Sequence, residues 1–176
     1  PNIDALWVSN YTYDMPLTEW MKGFNRYHQP VVLFMMGGTL NAPLLADNVE
    51  VIYLPLMEQR SFDTLLALCN INLVRGEDSF ATSLQTGTPT VWQAYPQDDQ
   101  IHHVKVEAFL DWANKLLPSI HPTWLEIIRG INGIIAPPSE TIIFAFLKSL
   151  GKLYQDFFAV RQQIQLLGNF SKNLRS

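Results

Sequence analysis

One cysteine among 176 residues excludes an internal disulfide framework, and Cys69 standing alone suggests a reducing compartment. It closes an apolar helical stretch and reads as a small buried hydrophobe. Basic residues are scarce. Twelve Lys and Arg against 16 Asp and Glu leave a net charge of −4, which argues against a nucleic-acid partner, because that surface needs a basic field. No apolar run approaches the roughly 20 residues that cross a bilayer, and no secretory pattern opens the chain, so no membrane partner is expected. Neither a Ser-His-Asp nor a Cys-His nucleophile set is apparent. There is no internal repeat or low-complexity tract, and Pro137-Pro138 is the one obvious linker. The chain begins at Pro1 and enters a strand within a few residues, which reads as a piece of a longer protein.

What is present points to a packed core. Hydrophobic residues make up 48% of the chain, with five Trp, six Tyr and ten Phe, enough to exclude disorder and to build one domain. Leu6 to Tyr13, Val31 to Met36, Val49 to Leu54, Ile71 to Val74 and Thr90 to Gln93 read as strands. The unbroken apolar run Val31 to Met36 is the mark of a strand covered on both faces. Between them lie helical patterns: one opened by Pro16, an uncertain piece near Pro43 to Ala46, one from Ser61, and one from about Ser79 to Gln85 that Gly87 stops. Val104 to Leu117, Pro122 to Asn132 and a long segment from Ser139 to about Gly168 complete a helical C-terminus. Strands alternating with helices predict right-handed β-α-β units and a parallel sheet of five or more strands.

Ligands of such sheets collect at the carboxyl ends of the strands. Tyr11 and Tyr13, Gly37-Gly38, Gln59, Arg75 to Ser79, and Tyr95 to Asp99 all fall there. The run Arg75-Gly76-Glu77-Asp78-Ser79 is the most informative of these. Arg75 offers a fork of donors to a phosphate, Gly76 lets backbone approach a ligand, and the first N–H groups of the next helix point above the strand. The plainer alternative is that Asp78 or Ser79 caps the helix, with the acids favoured by its dipole. Carboxylates beside a phosphate would repel it, so Glu77 and Asp78 should face hydroxyl groups or pair with a cation. His102-His103, near Asp98 and Asp99, invites a metal reading, but adjacent histidines diverge and nothing completes a ligand set; no metal site is expected.

The stretches Leu54-Pro55-Leu56-Met57-Glu58-Gln59-Arg60-Ser61-Phe62-Asp63, Cys69 to Phe80 and Thr90-Val91-Trp92-Gln93-Ala94-Tyr95-Pro96-Gln97-Asp98 resemble the bacterial EarP family, arginine rhamnosyltransferases that modify translation elongation factor P. The resemblance is densest from Val51 to Leu110 and is to the C-terminal half of those enzymes. It implies the Rossmann-like C-terminal domain of a GT-B glycosyltransferase, with residues 1–136 binding dTDP-β-L-rhamnose and 137–176 packing back on the fold as part of the same domain. An N-terminal domain outside this chain is implied to carry the main catalytic acids. The reaction implied is inverting transfer of rhamnose to an arginine of elongation factor P in the bacterial cytoplasm, with neither metal nor cofactor.

Carried over by the resemblance, Tyr11 and Tyr13 flank the thymine base; Tyr11 departs from the family's usual phenylalanine but keeps a flat stacking surface. Ordinary strand aromatics packing a core are the alternative there. Gln59 and Phe62 match donor contacts, although Phe62 also suits a core. Arg75, Gly76, Asp78 and Ser79 match the surroundings of the diphosphate and sugar, and Glu77 matches a residue needed for activity, in a supporting role. This chain alone is then expected to bind donor without transferring it. The competing function class is a non-catalytic Rossmann-like module that binds a nucleotide or partner for regulation. Such a module has no reason to gather Tyr11, Gln59, Arg75, Glu77 and Asp78 at one sheet edge.

Overall fold

The computed structural model describes residues 4–12, 16–37, 46–117 and 120–173, with side chains of the last helix described to residue 167. Strands β1 (Leu6–Tyr11), β2 (Val31–Met36), β3 (Val49–Leu54), β4 (Ile71–Arg75) and β5 (Thr90–Gln93) alternate with helices α1 (Leu17–Tyr27), α2 (Gln59–Leu68) and α3 (Glu77–Thr86). Helices α4 (Ile101–Leu116), α5 (Pro122–Ile131), α6 (Glu140–Lys148) and α7 (Leu150–Asn173) follow. The sheet is parallel throughout, in the order β3-β2-β1-β4-β5. The chain winds outward from β1 to β3, then returns to place β4 on the other side of β1. This reversal opens a crevice at the carboxyl ends of β1 and β4, the topological switch point of the fold.

All six residues of β2 are buried, as a strand covered on both faces requires. The larger core joins Val8, Leu33, Ile71 and Leu73 to Trp20, Phe24, Trp124 and Phe146 from the helices. Polar ties fix the central strands. Ser9 donates to Asn72 Oδ1 at 2.7 Å, directly across the β1–β4 register, and Asn72 Nδ2 donates to the Leu66 carbonyl at 3.0 Å. A smaller cluster on the opposite face gathers Ala5, Val32, Phe34 and Cys69. Burial pushes the Cys69 thiol up to about 12, so little thiolate exists near neutrality. We expect a disulfide reagent to leave Cys69 unmodified in the native chain at pH 8 and to titrate one thiol after denaturation. Fast native reaction would mean that this face opens readily.

Several expected boundaries move. The α3 helix starts at Glu77 rather than Ser79, because Gly76 with φ 66° and ψ 176° already makes the turn at the N-cap position. Neither Asp78 nor Ser79 caps it; both lie in the first turn. Gly87 ends α3 in the left-handed conformation at φ 76°. The α4 helix begins three residues earlier than expected, at Ile101, after Gln100 at φ 55°. The piece expected near Pro43 to Ala46 lies, Ala46 apart, outside the described residues.

The long C-terminal segment is two helices rather than one. Ser149 Oγ donates to the Phe146 carbonyl at 2.7 Å, a local bond that competes with the helical ladder. Its N–H reaches the carbonyls of Ala145 and Phe146, and its own carbonyl accepts from Lys152 and Leu153 as α7 restarts. The α6 helix packs closely on α1: a Cβ on Gly23 would lie 2.6 Å from Ile143 Cγ2. The α7 helix runs against α3, where Arg161 meets Gly87, and Tyr154 donates to the Asn70 carbonyl at 2.8 Å. Along this segment Ile143, Phe146, Leu150, Leu153, Phe157 and Val160 are buried, and Ile142 and Ile164 pack at the core margin. Leu167 does not, at 61% exposure.

Candidate functional site

The β1–β4 register sets Tyr11 beside Val74, so Arg75 emerges one step above it at the switch point. Arg75 Nη2 donates to the Tyr11 hydroxyl at 3.0 Å, and its guanidinium carbon stands 4.1 Å from the centre of the Tyr11 ring. Tyr11 in turn meets Phe62 edge-on at 5.4 Å. Phe62 is buried in the core and also lines the cavity above.

That cavity has a volume of about 220 Å3. Tyr11, Gln59, Phe62, Asp78 and Ser79 line it, and all five are positions the sequence singled out. Met36, Pro55, Leu56, Met57 and Tyr95 complete its wall. Gln59 Nε2 donates to Asp63 Oδ1 at 2.7 Å one turn along α2, which turns the amide toward its own helix in this state. Arg75 reaches the cavity through Tyr11 rather than lining it. Tyr13 lies outside the described residues.

Gly76 is the pivot of the site. Its N–H donates to the Gln93 carbonyl at 2.9 Å, and its own carbonyl accepts from Trp92 Nε1 at 2.9 Å. The Tyr95 ring lies so close that a Cβ on Gly76 would sit 2.5 Å from it. The positive φ is what requires glycine here; a side chain would also push aside the half-exposed Tyr95 ring. The first turn of α3 then presents Asp78 and Ser79 to the cavity together with free helix N–H groups. Glu77 turns away. Its Oε1 lies 3.3 Å from Lys105 Nζ on α4, with both side chains about half exposed.

The loop after β5, which carries Tyr95, is pinned from two helices. Asn132, at the end of α5, accepts from Ala94 N–H at 2.8 Å and donates to the Trp92 and Ile128 carbonyls, each at 2.8 Å. His102 is buried, and its Nδ1 accepts from Gln97 N–H at 3.2 Å. Burial, then the neighbouring His103, lower the His102 imidazole from its ordinary value, in keeping with a ring nitrogen that accepts from a backbone N–H. His102 thus ties the loop; among the described residues no group of three His, Cys, Asp or Glu is placed to hold a metal ion.

Sequence reasoning missed the apolar wall of Met36, Leu56 and Met57, and the pairing of Lys105 with Glu77. Tyr95 stood within a singled-out segment but was not assigned to the site. The signal for the wall was the short stretch Leu54 to Met57, which reads equally as the end of a strand. Lys105 carried no signal, because 28 residues and a strand separate it from Glu77.

Fold and site together define a Rossmann-like α/β domain with a part-polar, part-aromatic cavity at its switch point. The whole chain, residues 1–176, matches the family described as Elongation-Factor P (EF-P) rhamnosyltransferase EarP, and it belongs to that family. It is similar to the protein-arginine rhamnosyltransferase of Shewanella oneidensis, 43% identical over 75 residues, covering 42% of this chain and 19% of that one. The Pseudomonas putida protein of the same name is 36% identical over 122 residues, 60% of this chain and 32% of the relative. A solved structure described as the structural basis for EarP-mediated arginine glycosylation of translation elongation factor EF-P superposes with a TM-score of 0.76 at 25% identity. That match covers 97% of this chain and 61% of the solved one. The matched stretches thus span no more than about a third of those two curated relatives. No helix among the described residues is long and apolar enough to cross a membrane.

Proposed function

We propose that this chain is the donor-binding half of an inverting glycosyltransferase that moves rhamnose from dTDP-β-L-rhamnose to an arginine of translation elongation factor P. The observation that carries this reading is the gathering of Tyr11, Gln59, Phe62, Asp78 and Ser79 around one cavity beside Arg75, in a chain of the EarP family. Tyr11 and Phe62 supply flat apolar faces for a base, and Gln59 supplies an amide for its polar edge. As the sugar bond breaks, charge develops on the leaving diphosphate. Arg75 and the N–H groups of the α3 N-terminus answer that charge, so no metal or cofactor is needed for it. Asp78 and Ser79 address sugar hydroxyls, and Glu77 supports the same turn.

A guanidinium with a pKa above about 12 is a poor nucleophile until a carboxylate orients it and takes its proton. That base belongs to a facing N-terminal half, whose cleft aligns the acceptor with the anomeric carbon. With a translation factor as acceptor, the reaction belongs in the cytoplasm. Residues 1–136 form the nucleotide-sugar domain in this reading, and 137–176 the helical extension that packs back on it.

Titration calorimetry tests the proposal with dTDP-rhamnose against GDP-mannose and NAD. Selective binding of the dTDP sugar is expected. If none of the three binds, the transferase reading fails; equal binding of all three would favour a general nucleotide module.

A further inference from the structure

Two carboxylates in the first turn of α3 are a liability for a site meant to hold a diphosphate, and their arrangement points to a device that offsets it. Asp78 lines the cavity, whereas Glu77 is drawn outward to Lys105. Lys105 stands on a held platform. One turn before it, His102 ties α4 to Gln97, and beyond it Glu107 accepts a bidentate pair of bonds from Arg129 of α5, both at 2.8 Å. The ammonium is thus carried by a helix fixed to the same loop that brings Tyr95 against Gly76. Around the turn, Arg75 and Lys105 balance Glu77 and Asp78. Without Lys105 the set carries one net negative charge toward an anionic ligand.

We propose that Lys105 is a positioning residue of the donor site: it holds the Glu77 carboxylate outside the anion-binding turn of α3 and neutralises it there. This inference rests on the nucleotide-binding reading above. It assigns Lys105 no contact with the ligand, and that separates it from Arg75.

The test is calorimetry on the 176-residue chain with dTDP and, as a phosphate-free probe, thymidine. Lys105→Ala is expected to weaken dTDP binding about 3- to 10-fold at low salt, less at high salt, since one exposed charge is screened by ions. Thymidine affinity should not move, and Lys105→Arg should restore dTDP binding. The decisive variant is Glu77→Gln combined with Lys105→Ala, which should bind dTDP as well as Glu77→Gln alone, because a neutral amide needs no screening. A double variant as weak as Lys105→Ala would put Lys105 on the phosphates and overturn the positioning role. A parallel loss of thymidine would make Lys105 merely structural. If the parent binds dTDP and Lys105→Ala changes nothing, this inference alone fails; a parent that binds no dTDP removes the nucleotide reading and this inference with it.

Discussion

Replacing Arg75 by alanine is expected to weaken dTDP and dTDP-rhamnose binding by about 10- to 150-fold, the effect of losing charge-assisted bonds of about 1.5–3 kcal/mol. The guanidinium rests on the Tyr11 ring and donates to its hydroxyl, so it is poised at the cavity without lining it. Removing it costs the fold at least the half-buried bond to the Tyr11 hydroxyl and the contact over its ring, together about 1.5–2 kcal/mol or roughly 3–8 °C in melting temperature. Calorimetry and thermal melts on the same samples check both halves of the statement. A large fall in melting temperature with unchanged affinity would make Arg75 a structural tie and remove it from the site.

The largest expected loss of stability comes from a position outside the cavity. Asn132 is 6% exposed, and its amide donates to the carbonyls of Trp92 and Ile128 while its oxygen accepts from Ala94. Asn132→Asp at pH 7 replaces the donor with an acceptor between two carbonyls and buries an unpaired charge, which should cost about 3–5 kcal/mol. Asn132→Ala should cost less, about 1–3 kcal/mol, because it leaves unpaired groups without a buried charge. The aspartate variant should also show a pH dependence of definite sign. Burial raises the folded carboxyl above its unfolded value near about 3.9, so the protonated variant is the more stable one. Because Glu19 and Glu107, held below the usual carboxylate value by Lys22 and Arg129, lose stabilisation in acid, the sign shows in the difference from the parent. The deficit in melting temperature should be smallest below about pH 4 and grow as the pH rises toward neutrality. A deficit relative to the parent that does not change with pH would show that the introduced carboxylate reaches water. Because Ala94 leads directly into Tyr95, both variants should also bind dTDP less tightly.

The parts of the fold that were legible in the sequence are those governed by local rules. Buried parallel strands announce themselves as apolar runs such as Val31 to Met36, and turns require particular residues, as Gly87 does at the end of α3. The lining of the cavity was legible where it follows from strand ends, since every β-α-β unit delivers its turn residues to one edge; Tyr11, Gln59, Phe62, Asp78 and Ser79 meet there. What escaped depends on partners distant in the chain. The break at Ser149 turns on a hydroxyl choosing a backbone carbonyl within an otherwise continuous helical pattern.

Sequence alone therefore determined the α/β class, the strand-to-helix turn that carries Arg75 to Ser79, and the sheet edge at which the cavity opens, because period and turn chemistry are properties of neighbouring residues. Tertiary structure alone decided that Glu77 faces Lys105 and not the cavity, that Asn132 holds the loop of Tyr95, and that Phe62 serves core and cavity together. Those outcomes are set by how the β5–α4 crossover and the α5 end pack against the sheet, and no local pattern encodes which side chains that packing brings within bonding distance.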